Sequence, residues 1–343
     1  MPIVRKMSEI AVLGAGVVGL TTAVLLQSEI PDAKITVVAD KFTIDTLSDG
    51  AAGIFRPGTS FSGPNPEITR QWLFDSYQHY YKIYKSSEAA KAGVIEASGY
   101  VYSKEFPEIT KNHFLEGLLP VYRPATPSEL KLCPGDWKYG AFFTTLVIES
   151  RYHLPWLTNK FEKAGGKVVI RNVERLDELA GQFDAAVNCT GFGAKKLCMD
   201  NKLVPIRGQV YKVKAPWVKM FFYGDYDTYI IPGVDYVTLG GSRHFDSYRK
   251  DWDDHDGAGI LERCYEILPN LKQAEIVRKW SGLRPHRDPV RVEKEVLQVG
   301  NSTLKVVHNY GHGGYGVTTA PGTSKYAVAL VKEFLENKIS SKL

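Results

Sequence analysis

The sequence predicts an α/β protein in which a Rossmann-like dinucleotide-binding domain is interleaved with a second, α+β domain built on a mainly antiparallel sheet. Three observations carry this expectation. Residues 10–40 hold an apolar run, a G-x-G-x-x-G turn (Gly14, Gly16, Gly19), a helical stretch and a β-branched run ending at Asp40, the strand–turn–helix–strand order that a dinucleotide site requires. Residues 98–146 alternate short β-rich runs with proline and glycine turns, which fits antiparallel strands rather than further βαβ units. The apolar runs at 167–171 and 185–191 look like later strands of the opening sheet, so the first domain is discontinuous.

Each element follows from local chemistry. Residues 10–13 read as a buried strand and 20–27 as a helix. Between them Gly14 permits a tight turn, Gly16 lets backbone approach a pyrophosphate, and Gly19 lets the helix pack closely on the strand. The helix N-terminus supplies free N–H groups and the positive end of its dipole to the phosphates. Asp40, closing the strand at 35–39, is placed to accept from a ribose hydroxyl. The small residues at 49–53 let backbone lie against a flat cofactor, and the prolines and glycines of 57–66 form a linker. Residues 67–84 read as a helix whose Trp72, Leu73, Tyr77 and Tyr80 recur at helical spacing, a core stripe rather than a cofactor box. A helix over 152–164 ends at Gly165-Gly166. Short strands follow at 209–213, 228–231 and 236–240, then a solvated acidic run at 251–256 and helices at 261–268 and 272–280. The end is a strand at 304–310, a glycine loop from Gly311 to Gly316 and a helix over 324–337. The first turn leaves FAD and NAD open. A second helix N-terminus, aimed at the edge of a flavin ring, stabilises the charge of a reduced flavin and favours FAD.

Composition narrows the function classes. The chain has 343 residues, 44% hydrophobic and 24% charged, with a net charge of +5. Charges are mixed along the chain, so a nucleic-acid partner is not expected. No apolar run approaches ~18–20 residues, so no membrane-spanning helix is expected, and the N-terminus lacks a secretory apolar segment. Cys133, Cys189, Cys198 and Cys264 show no C-x-x-C spacing; they read as free thiols in a reducing compartment, with no metal site. Ser341-Lys342-Leu343 is the peroxisomal address, implying an import receptor as partner. The oligomeric state is left open.

The segments GAGVVGL (14–20), ADKFT (39–43), DGAAG (49–53), VNCTG (187–191), RGQV (207–210), YIIPG (229–233), VTLGG (237–241), GLRP (282–285) and HNYGHGGYG (308–316) together resemble the D-amino-acid oxidase / D-aspartate oxidase family of peroxisomal FAD enzymes. The resemblance implies an FAD-binding domain over 1–56, 145–200 and 281–343, and a substrate-binding domain over 57–144 and 201–280. It implies oxidative deamination of a D-amino acid, with O2 as the final acceptor and H2O2 as product. Carried over residue by residue, the FAD site falls on Gly14, Ala15, Gly16, Val17, Val18 and Gly19; on Asp40, Lys41, Thr46 and Ser48; on Ala52, Gly53 and Ile54; on Val173, Thr190 and Gly191; and on Gly313, Tyr315, Gly316, Val317 and Thr318. Arg284 holds the substrate α-carboxylate through its planar fork, Tyr229 bonds the same group, and the carbonyl of Gly314 receives the α-ammonium. His308 and His312 read as structural or cofactor-adjacent.

An acidic substrate is favoured by three features. The segment between Trp217 and Tyr229 is short, leaving no clear match for the second pocket tyrosine of the neutral-substrate branch. Gly241-Ser242-Arg243 resembles the Gly-Thr-Arg whose arginine faces a side-chain carboxylate, and Arg56 follows the DGAAG turn close to the pocket wall. A dicarboxylate relieves the repulsion between such arginines and Arg284. Against this, HNYGHGGYG matches the neutral branch more closely, and Phe222 lies near the place of a lid arginine. The alternatives are an oxidase of neutral or basic D-amino acids, a non-catalytic flavoprotein, and an NAD(P)-dependent dehydrogenase.

Overall fold

The structure, a computed structural model, describes residues 7–340, with side chains through residue 336; the tripeptide 341–343 lies outside the described residues. In chain order the elements are β1 (Ser8–Ala15), α1 (Val17–Glu29), β2 (Ala33–Phe42), α2 (Pro66–Tyr84), β3 (Val94–Ser103), β4 (Val121–Pro124), β5 (Tyr139–Ile148), α3 (Ser150–Lys163), β6 (Lys167–Ile170), β7 (Ala185–Asn188) and α4 (Ala194–Leu197). There follow β8 (Val204–Lys214), β9 (Phe221–Tyr223), β10 (Tyr229–Pro232), β11 (Val237–Gly240), β12 (His244–Phe245), α5 (Asp254–Ile267), β13 (Glu275–Val299), β14 (Ser302–His312) and α6 (Gly316–Ser340).

The opening layer is the parallel set β14-β7-β1-β2-β6. Its central strands are apolar on both faces: Ile10, Ala11, Val12 and Leu13 are each at most 1% exposed, as expected where helices cover a parallel sheet. Helices α1, α2, α3 and α6 share the larger core with it, including Leu20, Trp72, Tyr80, Leu157 and Val331. The aromatic stripe of α2 is core: Trp72, Tyr77 and Tyr80 are buried, and the Tyr80 hydroxyl donates to the Val317 carbonyl at 2.5 Å.

The remaining strands run β4-β5-β3-β9-β10-β11-β8, antiparallel except where β3 meets β9. They are continuous with the parallel layer through β13. This 25-residue strand pairs with β8 along Glu275–His286 and with β14 along Arg291–Val299. A smaller core under β8, β10 and β11 packs Ile260, Cys264 and Ile267 of α5.

Several expectations are corrected here. Residues 272–280 are not a helix: a short 3-10 turn (Pro269–Gln273) leads into β13. Ladder pairing with β8 decides the segment, since Glu275 lies opposite Lys214 and Trp280 opposite Val210, overriding modest helix propensity. The acidic run is not merely solvated, because the Asp253 carboxylate caps α5 by accepting from the His255 and Asp256 N–H groups, and Asp256 pairs with the buried Arg207 at 2.9 Å. Helix α5 accordingly begins at Asp254 rather than 261. Helix α6 begins at Gly316, eight residues before the expected start. Its Gly-, Thr- and Pro-rich first turns resemble a loop in sequence, but a Cβ on Gly322 would stand 1.9 Å from the Trp72 carbonyl. The small residue is there for the α2–α6 contact.

Candidate active site

The turn after β1 is built as its glycines require. Gly14 has φ +97, and a Cβ there would lie 2.6 Å from the Cys189 carbonyl at the end of β7. A Cβ on Gly19 would lie 1.9 Å from the Gly14 carbonyl, so α1 packs on its own turn. Gly16 caps α1 without a side chain, and the Val17 N–H donates to Ser48 Oγ at 3.1 Å. This N-terminus opens onto a cavity of about 1130 Å³, larger than most single-ligand sites.

The cavity gathers the predicted cofactor residues from four chain segments: Gly14, Ala15, Gly16, Val17 and Val18; Asp40, Lys41, Thr46, Ser48, Ala52, Gly53 and Ile54; Val173, Thr190 and Gly191; and Gly313, Tyr315, Gly316, Val317 and Thr318. Gly19 does not line it and acts only through packing. Thr318 donates its hydroxyl to the Tyr315 carbonyl at 3.0 Å. Thr190 is held by Asn188, whose Oδ1 accepts from the Thr190 N–H and hydroxyl at 3.2 and 2.8 Å. The 49–53 turn is fixed from beneath: Arg278 pairs with Asp49, and the Lys212 ammonium donates to the Ala51 carbonyl at 3.1 Å. Burial pushes Lys212 down to about 8.

The residues present fit FAD. Beyond the glycine cradle, the guanidinium atoms Nε and Nη2 of Arg171 are buried without a protein partner, on a residue that lines the cavity with Asp40 and Val173. A charged group left so is costly unless a ligand satisfies it. The sequence reading missed Arg171, whose signal was its position just after the short edge strand β6.

At the other part of the same cavity lie Arg284, Tyr229 and Gly314. Arg284 stands over Gly208, where a Cβ would be 2.2 Å from the guanidinium carbon. Its Nη1 donates to the Ser242 carbonyl at 3.0 Å, and among the described residues it makes no salt bridge with a carboxylate. The Tyr229 ring lies against Gly240 and Gly241, at 2.1 and 2.7 Å from their would-be Cβ atoms. Burial raises the Tyr229 phenol, with Arg284 opposing, so its hydroxyl is a proton donor. The glycines of RGQV and VTLGG are thus flat seats for the two side chains that face the cavity.

Arg56 and Arg243 both line the cavity. Arg56 lies over the Tyr223 ring at 4.5 Å, and Arg243 pairs with Asp227 at 3.3 Å. The structure corrects one expectation directly: a second tyrosine is present, because Tyr223 lines the cavity with its ring 5.8 Å from that of Tyr229. It was hidden because it sits on β9, a three-residue strand. Phe222 points into the smaller core. His308 is buried between Asn188 (3.2 Å) and Glu295 (2.7 Å), and His312 lines the cavity with its Nε2 2.9 Å from Thr323 Oγ1.

Comparison with known proteins bears on this geometry. The profile of the family described as FAD dependent oxidoreductase matches residues 9–330. The chain is 40% identical to D-aspartate oxidase of Homo sapiens, over 95% of each chain. It is 34% identical to a D-amino acid oxidase of Dugesia ryukyuensis, over 95% of this chain and 98% of that one. Among solved structures, glycine oxidase of Geobacillus kaustophilus superposes with a TM-score of 0.77 over 95% of both chains at 18% identity, a likeness of fold.

Proposed function

The chain belongs to the FAD-dependent oxidoreductase family that includes the D-aspartate and D-amino-acid oxidases, and we propose that it is an oxidase of D-amino acids that favours acidic ones, D-aspartate and D-glutamate. The observation that carries this is the seating of Arg284 and Tyr229 on glycine backbone in the cavity that the α1 N-terminus enters. Bound FAD, which the α1 turn, Arg171 and the 313–318 loop would hold, would supply the two-electron acceptor for the Cα–H hydride, with O2 as final acceptor and H2O2 as product.

The chain's own residues bind and orient. Arg284 offers a planar guanidinium to the α-carboxylate, and the Tyr229 hydroxyl donates to the same group. The Gly314 carbonyl accepts from the substrate amino group and fixes the Cα–H direction. The ammonium gives up one proton to water so that the nitrogen lone pair forms the C=N bond as the hydride leaves, and no side-chain base at Cα is needed. Positioning of this kind accounts for much of the rate when the reacting atoms are held in line. Arg243 and Arg56 form the side-chain end, where a second carboxylate offsets their repulsion with Arg284. The imino acid released hydrolyses in water to the 2-oxo acid and ammonia.

A second reading, an oxidase of neutral D-amino acids, draws on Tyr223, whose ring lies tilted beside Tyr229 and under Arg56. Peroxide release by the purified yellow protein with D-Asp, D-Glu, D-Ala and D-Arg decides between them. A D-Asp preference supports the acidic reading; a D-Ala preference leaves Arg284 in place but returns Arg243 and Arg56 to general surface roles. For localisation we propose import into peroxisomes through Ser341-Lys342-Leu343. A fluorescent fusion at the N-terminus is expected to become cytosolic when these three residues are deleted, and an unchanged distribution would refute the address.

A further inference from the structure

The acid-recognition arginine already faces a carboxylate, and it is the protein's own. Asp227 lies 3.3 Å from Arg243, and both line the cavity that holds Arg284 and Tyr229. We propose that Asp227 is a specificity-determining residue that acts as an internal competitor: its carboxylate occupies Arg243 until a substrate side-chain carboxylate displaces it. This rests on the reading of Arg243 as the side-chain site.

The backbone that presents Asp227 is firmly held. Gly224 and Thr228 close a turn, with N–H bonds to the Thr228 and Asp225 carbonyls at 3.0 and 3.2 Å. The Asp227 carbonyl accepts from the Gly241 N–H at 2.8 Å. Arg263 ties the two edges together through the Thr228 hydroxyl (3.1 Å) and the Gly241 carbonyl (2.9 Å). Tyr226 and Asp227 both sit at left-handed φ, +57 and +59, a conformation that aspartate tolerates better than most residues. The turn therefore fixes the Asp227 backbone next to Arg243 whether or not the side chains pair.

The pair itself is weak. The two side chains are 45% and 43% exposed, and ion pairs so open to water hold loosely enough for another carboxylate to exchange. This gives the pocket two charge states. With a neutral D-amino acid Asp227 stays on Arg243 and cancels its charge. With D-aspartate the substrate takes Arg243 and Asp227 turns to solvent. Selectivity for acids is then a difference between two pairings, and Asp227 lowers it below what Arg243 alone gives.

The test is calorimetric binding of malonate, with acetate as the monocarboxylate control, to FAD-loaded wild type, D227N, R243A and the double variant. Asparagine keeps the left-handed backbone at 227. We expect D227N to tighten malonate binding about two- to fivefold, the range set by the strength of exposed pairs, with acetate unchanged. In the R243A background the same change must do nothing. An unchanged malonate affinity in D227N overturns the proposal, and so does an equal gain without Arg243, which would indicate a general field effect. If R243A fails to weaken malonate relative to acetate, the side-chain reading of Arg243 falls and the proposal with it. If R243A does weaken malonate while D227N has no effect, only the competitor role falls.

Discussion

Arg284 and Arg243 line one cavity, yet substitutions at them are expected to read out differently. Arg284 has no carboxylate partner among the described residues, and on the proposed reading it meets the group common to every amino acid. R284K keeps the charge but loses the planar fork, so kcat/KM is expected to fall for D-Asp and D-Ala alike, by about 10- to 100-fold on the scale of a charge-assisted hydrogen bond. R243A is expected to raise KM for D-Asp by about 10-fold or more while D-Ala is nearly unaffected. Steady-state kinetics on both substrates separate the two, and equal losses in R243A would mark it as structural. Gly208 gives a third residue-level test. G208V would drive side-chain atoms into the guanidinium that now stands 2.2 Å from the would-be Cβ, so it should reproduce the R284K kinetics while flavin absorbance stays normal. These glycines explain why so much of the site was legible in sequence. A seat for a flat group demands glycine and leaves a motif, whereas Tyr223, on a short strand, and Arg171, just after one, act through side chains and leave no motif.

At the scale of elements, burial sets how the protein responds to acid. His153 in α3 is 1% exposed. Its Nδ1–H donates to the Ala92 carbonyl at 3.0 Å, and its Nε2 has no partner, so a second proton would find no acceptor. Burial pushes His153 down to about 4 and His312 down to about 3, from an ordinary value near 6.5. The unfolded chain therefore binds protons near pH 6.5 that the folded chain refuses until pH 3–4. Stability is complete above pH 6.5 and falls as the pH drops, by about 1.4 kcal/mol per pH unit for each histidine. Denaturant midpoints measured from pH 7 to 4 should show this slope, and H153Q, which keeps a donor toward Ala92, should flatten it. A wild-type profile level across that range would contradict the assignment. Elements also show where sequence reading failed. Residues 272–280 and the first turns of α6 depart from their local sequence pattern because their state is fixed by long-range partners, β8 for the one and Trp72 of α2 for the other. Helices α1 and α3, whose limits lie in local turns, came out nearly as expected.

For the whole molecule, the decisive feature is that the two halves share a strand. From sequence they are two interleaved units; in the structure the parallel and antiparallel parts form one continuous sheet. What could not be read is the span of β13, which pairs with β8 through its first half and β14 through its second, because no local pattern marks where one partner gives way to the next. The cavity is lined from both parts, by the α1 turn and by Tyr229, Ser242 and Arg284. A ligand there touches both halves, and β13 transmits the loss of either to the other. FAD should accordingly stabilise the entire molecule by mass action, about 2.7 kcal/mol at a free concentration 100 times its Kd. Stripping the cofactor is expected to lower the melting temperature by several degrees while the calorimetric trace keeps one transition. Two transitions, of which FAD moves only one, would show that the halves unfold independently despite their common strand. G19V tests the same coupling from the cofactor side. Its side chain meets the Gly14 carbonyl, so the variant should purify colourless and melt like the stripped wild type rather than lose one half alone.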